Sequence, residues 1–514
     1  MRQLPAGNSR GVNCEQGFQR RGICRAQVTC APIFTFTPAS TLLNLQRTHL
    51  AMDWHEIDRF LMGEAWAGSL IGQHVTELCD VIGPRWGGSP EDRLTAEYIR
   101  GQMEQAGLDR AEIERFTIET WDHGAVSITL TKSNRVIASL PFLRCQPVDV
   151  TAPLVDAGHA SAHEIESLGE RVKGAVALTS ISPEPFTSAE PLSKRLSGLS
   201  DAGAACVIAI EPKTGGRMEY SSSDEWLNVG PRKDSVAVVK TSSEDGAYLQ
   251  RIAPTTTRVR VSVDARYFDS DAYNTVAELK GAIHPERHLI LAGHHDTVPR
   301  APGGNDNASG TIGVMETARV MAALSRELGV RPGMSIRFAT WSGEEQRLQG
   351  ARAYVARHYA EGAPEREAKP LLNVNLDELS TGHMKGVVLH FPHLRDFVQE
   401  QLDTMNDGLK CHVLDHMDAY SDHFPFAEAA IESSILWRWR FWGRHEGANF
   451  HHEPADAANK LNVRELKEYA GQLARLLLRL SHVAPDDWPE NPLSVSDVRQ
   501  MIERDAGKHH PACQ

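Results

Sequence analysis

The sequence has no apolar run of about 18 residues or more, so it offers no membrane-spanning helix. Positive charge is in short supply: 54 Lys and Arg face 67 Asp and Glu, for a net charge of −13. That balance argues against non-specific nucleic-acid binding, which draws on clustered positive charge. Cysteine is sparse and scattered, eight in all, with no CxxC and no Cys/His cluster of zinc-finger spacing. A disulfide framework is therefore not expected. Cys79, Cys145 and Cys206 sit in apolar runs such as ELCDVI and AACVIAI and read as buried free thiols. A metal site in this chain has to be made from histidines and carboxylates. A clean secretory segment is lacking too, because VTCAPIFTFTPASTLLNL is interrupted by prolines and threonines. The expectation is a cytoplasmic protein, with secretion as the alternative.

Residues 1–51 contain a single acid, Glu15, together with many arginines and three of the eight cysteines, and show neither helical nor strand periodicity. They read as a disordered or non-native extension ahead of Met52. Residues 52–144 read as helices followed by strands. Ser89-Pro90-Glu91-Asp92 is an N-cap, a first-position proline and early acids, and Gly107 closes the helix, with Leu94, Tyr98, Ile99 and Met103 expected on its buried face. Residues 145–258 interrupt this pattern with Pro/Ser-rich segments and a strand, helix, strand reading of GAVALTS and KRLSGLSDAGAACVIAI. From 259 to 485, RVRVSVDARYFD, RHLILAGHHD, SIRFATWSGEE and LLNVNLDEL are strands separated by helical stretches, and 486–514 reads as a tail. Alternating strand and helix predicts an α/β fold, a mostly parallel, mixed sheet with helices on both faces. Ligands of such sheets bind beyond the carboxyl ends of the strands.

Asp296, Glu344, Glu345 and Asp377 fall at or just after such ends. His294, Asp306, Glu345, Asp377 and His452 are five potential metal ligands, and Glu344 is a second carboxylate beside the third. Two metals about 3.5–4 Å apart need a bridging carboxylate, further His and carboxylate ligands, and a free carboxylate to take a proton from the attacking water. Each residue alone has an ordinary reading: a lone His after a strand is usually a satisfied side chain, GGNDNASG can be a turn and N-cap, and paired acids usually open a solvated helix. Their joint order is what points to metal. Asp296, two residues after His294, can orient its imidazole. In WRWRFWGRHEG, Arg438, Arg440 and Arg444 interleave with tryptophans. One reading is an edge strand with solvated arginines, the other a guanidinium clamp for a substrate carboxylate.

GHHDTV, GGNDNASG, TWSGEEQRLQGARAY, NLDE, SDHFPF and HHEPADA occur in the order seen in the M28 family of zinc exopeptidases, which this chain resembles over most of residues 80–480. The resemblance implies two Zn²⁺: His294 and Asp377 on one, Glu345 and His452 on the other, Asp306 bridging, Glu344 as general base and Asp296 behind His294. It also implies a peptide or dipeptide substrate. Residues 145–258 are similar to a protease-associated domain insert, and the insert together with the HH pair looks most like the plasma glutamate carboxypeptidase branch. Many members have Tyr where this chain has His451, which predicts His451 as a donor to the tetrahedral oxyanion; the alternative makes His451 the ligand and His452 its neighbour. Competing readings are an M20-type metallopeptidase, for which the interval from Asp377 to His452 is too short to hold a lid domain, a single-zinc glutaminyl cyclase, and a non-catalytic binding module. A homodimer is compatible with the sequence and not required by it.

Overall fold

The computed structural model describes residues 53–182, 184–187, 190–222, 236–255, 257–438 and 449–505. The expected extension 1–51 lies outside them. The strands are β1 (Arg110–Leu130), β2 (Val136–Ile137), β3 (Leu140–Pro141), β4 (Val148–Asp156), β5 (Val176–Ser180), β6 (Cys206–Ile210), β7 (Val238–Thr241), β8 (Arg258–Leu279), β9 (His284–His294), β10 (Met334–Trp341), β11 (Asn373–Asn375), β12 (Met384–Leu389), β13 (Lys410–Val413) and β14 (Ser433–Arg438). They run β13-β12-β14-β11-β9-β10-β8-β4-β5-β6-β7-β3 across one continuous sheet, with β1 and β2 paired off β8.

The centre of the sheet is parallel: β9 pairs in parallel with β10 and β11, and β11 with β14. β10 is buried at every position and β9 over its last seven, as a strand covered on both faces must be. The helices Ser309–Leu328 and Val463–His482 cover this core, and Leu466, Tyr469, Ala470, Leu473 and Leu477 face it as expected. β8, a 22-residue strand, pairs antiparallel with β10 and β1 and, further along its length, with β4. Through β4 the sheet continues into β5, β6 and β7, parallel strands with their own apolar cluster around Val172, Leu196, Leu199 and Val207. This is the region where the strand, helix, strand pattern was expected. Cys79, Cys145, Cys206 and Cys411 are buried free thiols. Among the described residues no helix is long and apolar enough to cross a membrane.

Three expectations need correction. The helix Pro90–Ala106 starts at the Ser89 cap and ends at Gly107, but Leu94 is exposed and Tyr98 only partly covered. The inner face is Asp92, Thr95, Ala96, Ile99 and Met103, because Asp92 is drawn inward to His295 Nε2, 3.0 Å away. β14 is not an edge strand: it lies between β12 and β11. Residues 486–505 are more than a tail, since the helix Val495–Asp505 buries Val498 against Phe391 and Phe424, and Asp505 accepts a hydrogen bond from Met417 N–H at 3.1 Å.

Candidate metal centre

β9, β10 and β11 stop in register at the same edge, so the residues that follow them converge. β9 ends on His294, Glu344 and Glu345 follow β10 through Gly343 at φ +73°, and Asp377 follows β11 by two residues. The approach is close: a Cβ on Gly293 would stand 2.5 Å, and one on Gly310 2.2 Å, from the Leu376 carbonyl, so only glycine fits at either place. Asp306 arrives on the loop before the helix Ser309–Leu328. That loop is tied to the His452 loop by Asp456, whose carboxylate accepts from Asn305 N–H (2.8 Å) and Asp306 N–H (2.9 Å).

The two oxygens of Asp306 face opposite ways. Oδ1 is 3.3 Å from His294 Nε2 and Oδ2 is 3.3 Å from His452 Nε2. On one side, His294 Nε2 is also 3.5 Å from Asp377 Oδ1, and Glu344 joins these two with ligating atoms within 4.8 Å. On the other, His452 Nε2 is 2.9 Å from Glu345 Oε2. Donors about 2.0–2.1 Å from one tetrahedral zinc stand about 3.3 Å from each other, which is close to the separations found here.

Asp296 organises one wall. Its carboxylate accepts from Glu344 N–H at 3.1 Å and Glu345 N–H at 3.3 Å and lies 3.4 Å from His294 Nδ1. His294 Nδ1 is 3.2 Å from the Asp296 carbonyl, a group that only accepts, so Nδ1 carries the proton and Nε2 is left free for a metal. Ser421 Oγ donates to Asp377 Oδ2 at 2.8 Å and accepts from Asn375 Nδ2 at 2.8 Å. Arg85, fully buried, donates to the carbonyls of His295, Gly83, Pro302 and Gly303 and so shapes the loop after β9.

His451 lies beside this arrangement, with Nδ1 2.9 Å from Asp306 Oδ2 and 3.4 Å from Glu378 Oε1, and its ring stacks on that of His452 at 3.7 Å between centroids. Asp306, His451 and His452 together form a second set of potential ligands within 4.8 Å. Arg440 and Arg444 lie outside the described residues, as does the Arg438 side chain. Asp422, Asp456, Tyr220 and the Asp92–His295 pair were given no role in the site from the sequence. Asp422 sits in SDHFPF and Asp456 four residues after His452, whereas Tyr220 carries no local signal.

Carboxylates outnumber cations in this cavity. Burial pushes the Glu344 carboxyl well above its ordinary range; His294 opposes this, while Glu345, Asp422 and Asp377 add to it. Burial likewise raises Asp422, and lifts Asp456 to about 7. Burial works against charge on His294 and His452, yet the surrounding carboxylates outweigh it and hold both well above the usual imidazole range. Glu345 Oε1, His294 Nε2 and both Asp422 oxygens are buried without a hydrogen-bond partner in the protein. Buried anions in such excess are costly unless a cation joins them, so this donor set fits divalent metal.

Residues 274–477, the span that holds all these candidate ligands, match the model of Peptidase family M28. The chain is 28% identical over 410 residues to aminopeptidase YwaD of Bacillus subtilis, covering 78% of this chain and 81% of that one. It is 24% identical over 294 residues to mouse carboxypeptidase Q, covering 55% of this chain and only 60% of the relative's length. The fold is shared with a zinc aminopeptidase from Bacillus subtilis (TM-score 0.62, 21% identity, 83% and 96% of the two chains). It is shared also with a peptidase M28 precursor from Shewanella amazonensis (TM-score 0.68, 15% identity, 86% and 99% covered). The candidate donor set and the match to the model of Peptidase family M28 fall on the same span of the chain.

Proposed function

We propose that this protein is a co-catalytic two-zinc exopeptidase that hydrolyses peptide bonds at the ends of peptides or in dipeptides. The observation that carries this reading is Asp306, whose two oxygens stand at equal distances from His294 on one side and His452 on the other. His294 and Asp377 would hold one zinc, Glu345 and His452 the other, and Asp306 would bridge them. Bound there, zinc would acidify a water and polarise the scissile carbonyl.

The chain's own residues do the rest. Glu344 takes the proton from the attacking water and passes it to the nitrogen of the leaving amine. It is the carboxylate left over beside the ligating Glu345, placed to take a proton and give it back. Asp296 keeps His294 in the tautomer that presents Nε2 and, through two backbone N–H groups, holds Glu344 and Glu345 in place. His451 donates to the oxygen on which negative charge develops. Residues 145–258 form the protease-associated-like insert, and aminopeptidase and carboxypeptidase relatives alike support action at a chain end.

The test is hydrolysis of a dipeptide series in three forms: both ends free, N-acetylated and C-amidated. Cleavage abolished by one blocking group and restored by its removal supports an exopeptidase and identifies the end it holds. Equal cleavage of all three forms would contradict it.

A further inference from the structure

His452, the last ligand of the proposed site, sits at φ +55°, a backbone conformation that residues with a side chain rarely adopt. The partner that stabilises it comes from far away in the chain. Tyr220 N–H donates to the His452 carbonyl at 2.9 Å, and His452 Nδ1 reaches the Tyr220 carbonyl at 3.0 Å. A carbonyl only accepts, so Nδ1 carries the proton and Nε2 turns toward Asp306 and Glu345. Tyr220 is itself fully buried, and its hydroxyl meets His123 Nε2 at 2.9 Å on β1.

The next residue, Glu453, is 2% exposed and takes Lys213 Nζ at 2.8 Å and Arg217 through Nε (2.9 Å) and Nη2 (2.6 Å). Arg217 also donates to the Asn449 carbonyl at the start of the same loop. Lys213 pairs with Glu219, and the backbone N–H groups of both residues donate to Glu211. Glu211 in turn holds the buried Lys240 of β7 at 2.8 Å. A continuous set of ion pairs and hydrogen bonds therefore runs from the β6–β7 end of the sheet to the residue beside the ligand.

Resting on the two-zinc reading above, we infer that residues 211–220 are a strap that positions His452. They fix its tautomer and backbone conformation, so zinc affinity on the His452 side depends on a segment outside the metal cluster. Tyr220, Lys213 and Arg217 are positioning residues, none of them among the candidate ligands.

The experiment is zinc titration against a competing chelator, on full-length protein stripped of metal, for wild type, Arg217→Ala, Arg217→Lys and Glu453→Gln. Removing partners that orient a ligand typically weakens metal binding about 10–100-fold. The strap predicts that loss for one of the two zinc equivalents in Arg217→Ala, with the other unchanged and partial recovery in Arg217→Lys. Glu453→Gln keeps the side-chain shape while removing the charge, so it reports on the strap even if Arg217→Ala does not fold; it too should weaken one equivalent. Wild-type affinity for both equivalents in the variants, or equal weakening of both, would overturn the strap alone. Wild-type protein that binds no zinc would overturn the two-zinc reading and the strap with it.

Discussion

Two clusters of buried charge adjoin at His452 and Glu453. In the strap, Lys213, Arg217 and Lys240 stand beside Glu211, Glu219 and Glu453, cation for carboxylate. In the metal cluster, Asp306, Glu344, Glu345, Asp377 and Asp422 converge chiefly on histidines, with Arg352 acting on Asp422. The titration behaviour divides accordingly. Burial works to raise Glu219, but Lys240 and Lys213 overcome it and depress the carboxyl to about 2, whereas burial drives Glu344 and Asp422 up. The strap completes its charge balance from its own sequence. On the two-zinc reading the metal cluster would take its cations from outside the chain.

The comparison can be broken most severely at Asp306, the carboxylate that faces both histidines. Asp306→Asn should leave both zinc equivalents weakly held and lower activity by more than the 10²–10⁴ that a general base alone supplies. Metal analysis and dipeptide hydrolysis check it together. Glu344→Gln should lower kcat by about 10²–10⁴ with zinc content and KM little changed, because it removes the base and spares the ligands. Zinc lost from that variant would exchange the roles of Glu344 and Glu345. His451→Phe should lower kcat by about 10²–10³, the usual effect of one lost oxyanion donor, with both zinc equivalents retained. Loss of one would make His451 a ligand, a role that its 2.9 Å approach to Asp306 permits.

The smallest effect belongs to the strap. A carboxyl depressed to about 2 contributes stability above its unfolded value, near 4.5, and loses it as the pH falls toward 2. Glu219→Gln should therefore cost about 2 kcal/mol at pH 7 and almost nothing at pH 2, after allowance for partial exposure. Denaturant unfolding at both pH values checks this, and an equal loss at each would show that Glu219 acts through packing and not through charge.

The strand ends were legible because each apolar run stops at a polar residue, and even the three-residue β11 announced itself through LLNVNLD. Four of the six metal-cluster residues, His294, Glu344, Glu345 and Asp377, were legible because they fall at those stops, whereas Asp306 and His452 stand in loops and stood out by their order with the others. Leu94 misled because apolar spacing alone cannot register that Asp92, an ordinary first-turn acid by sequence, is pulled inward by His295. β14 looked like an edge because WRWRFW alternates, whereas its neighbours on both sides come from elsewhere in the chain. The strap was illegible for the same reason: Tyr220 acts through its backbone on a residue 232 positions away, and no local pattern encodes that pairing.

Counting metal tests the central claim most directly. Protein purified without chelator and supplemented with zinc, then freed of loose ions, should carry two zinc ions per chain by elemental analysis. A value that saturates at one or fewer would contradict the bridging role of Asp306 and with it the co-catalytic account.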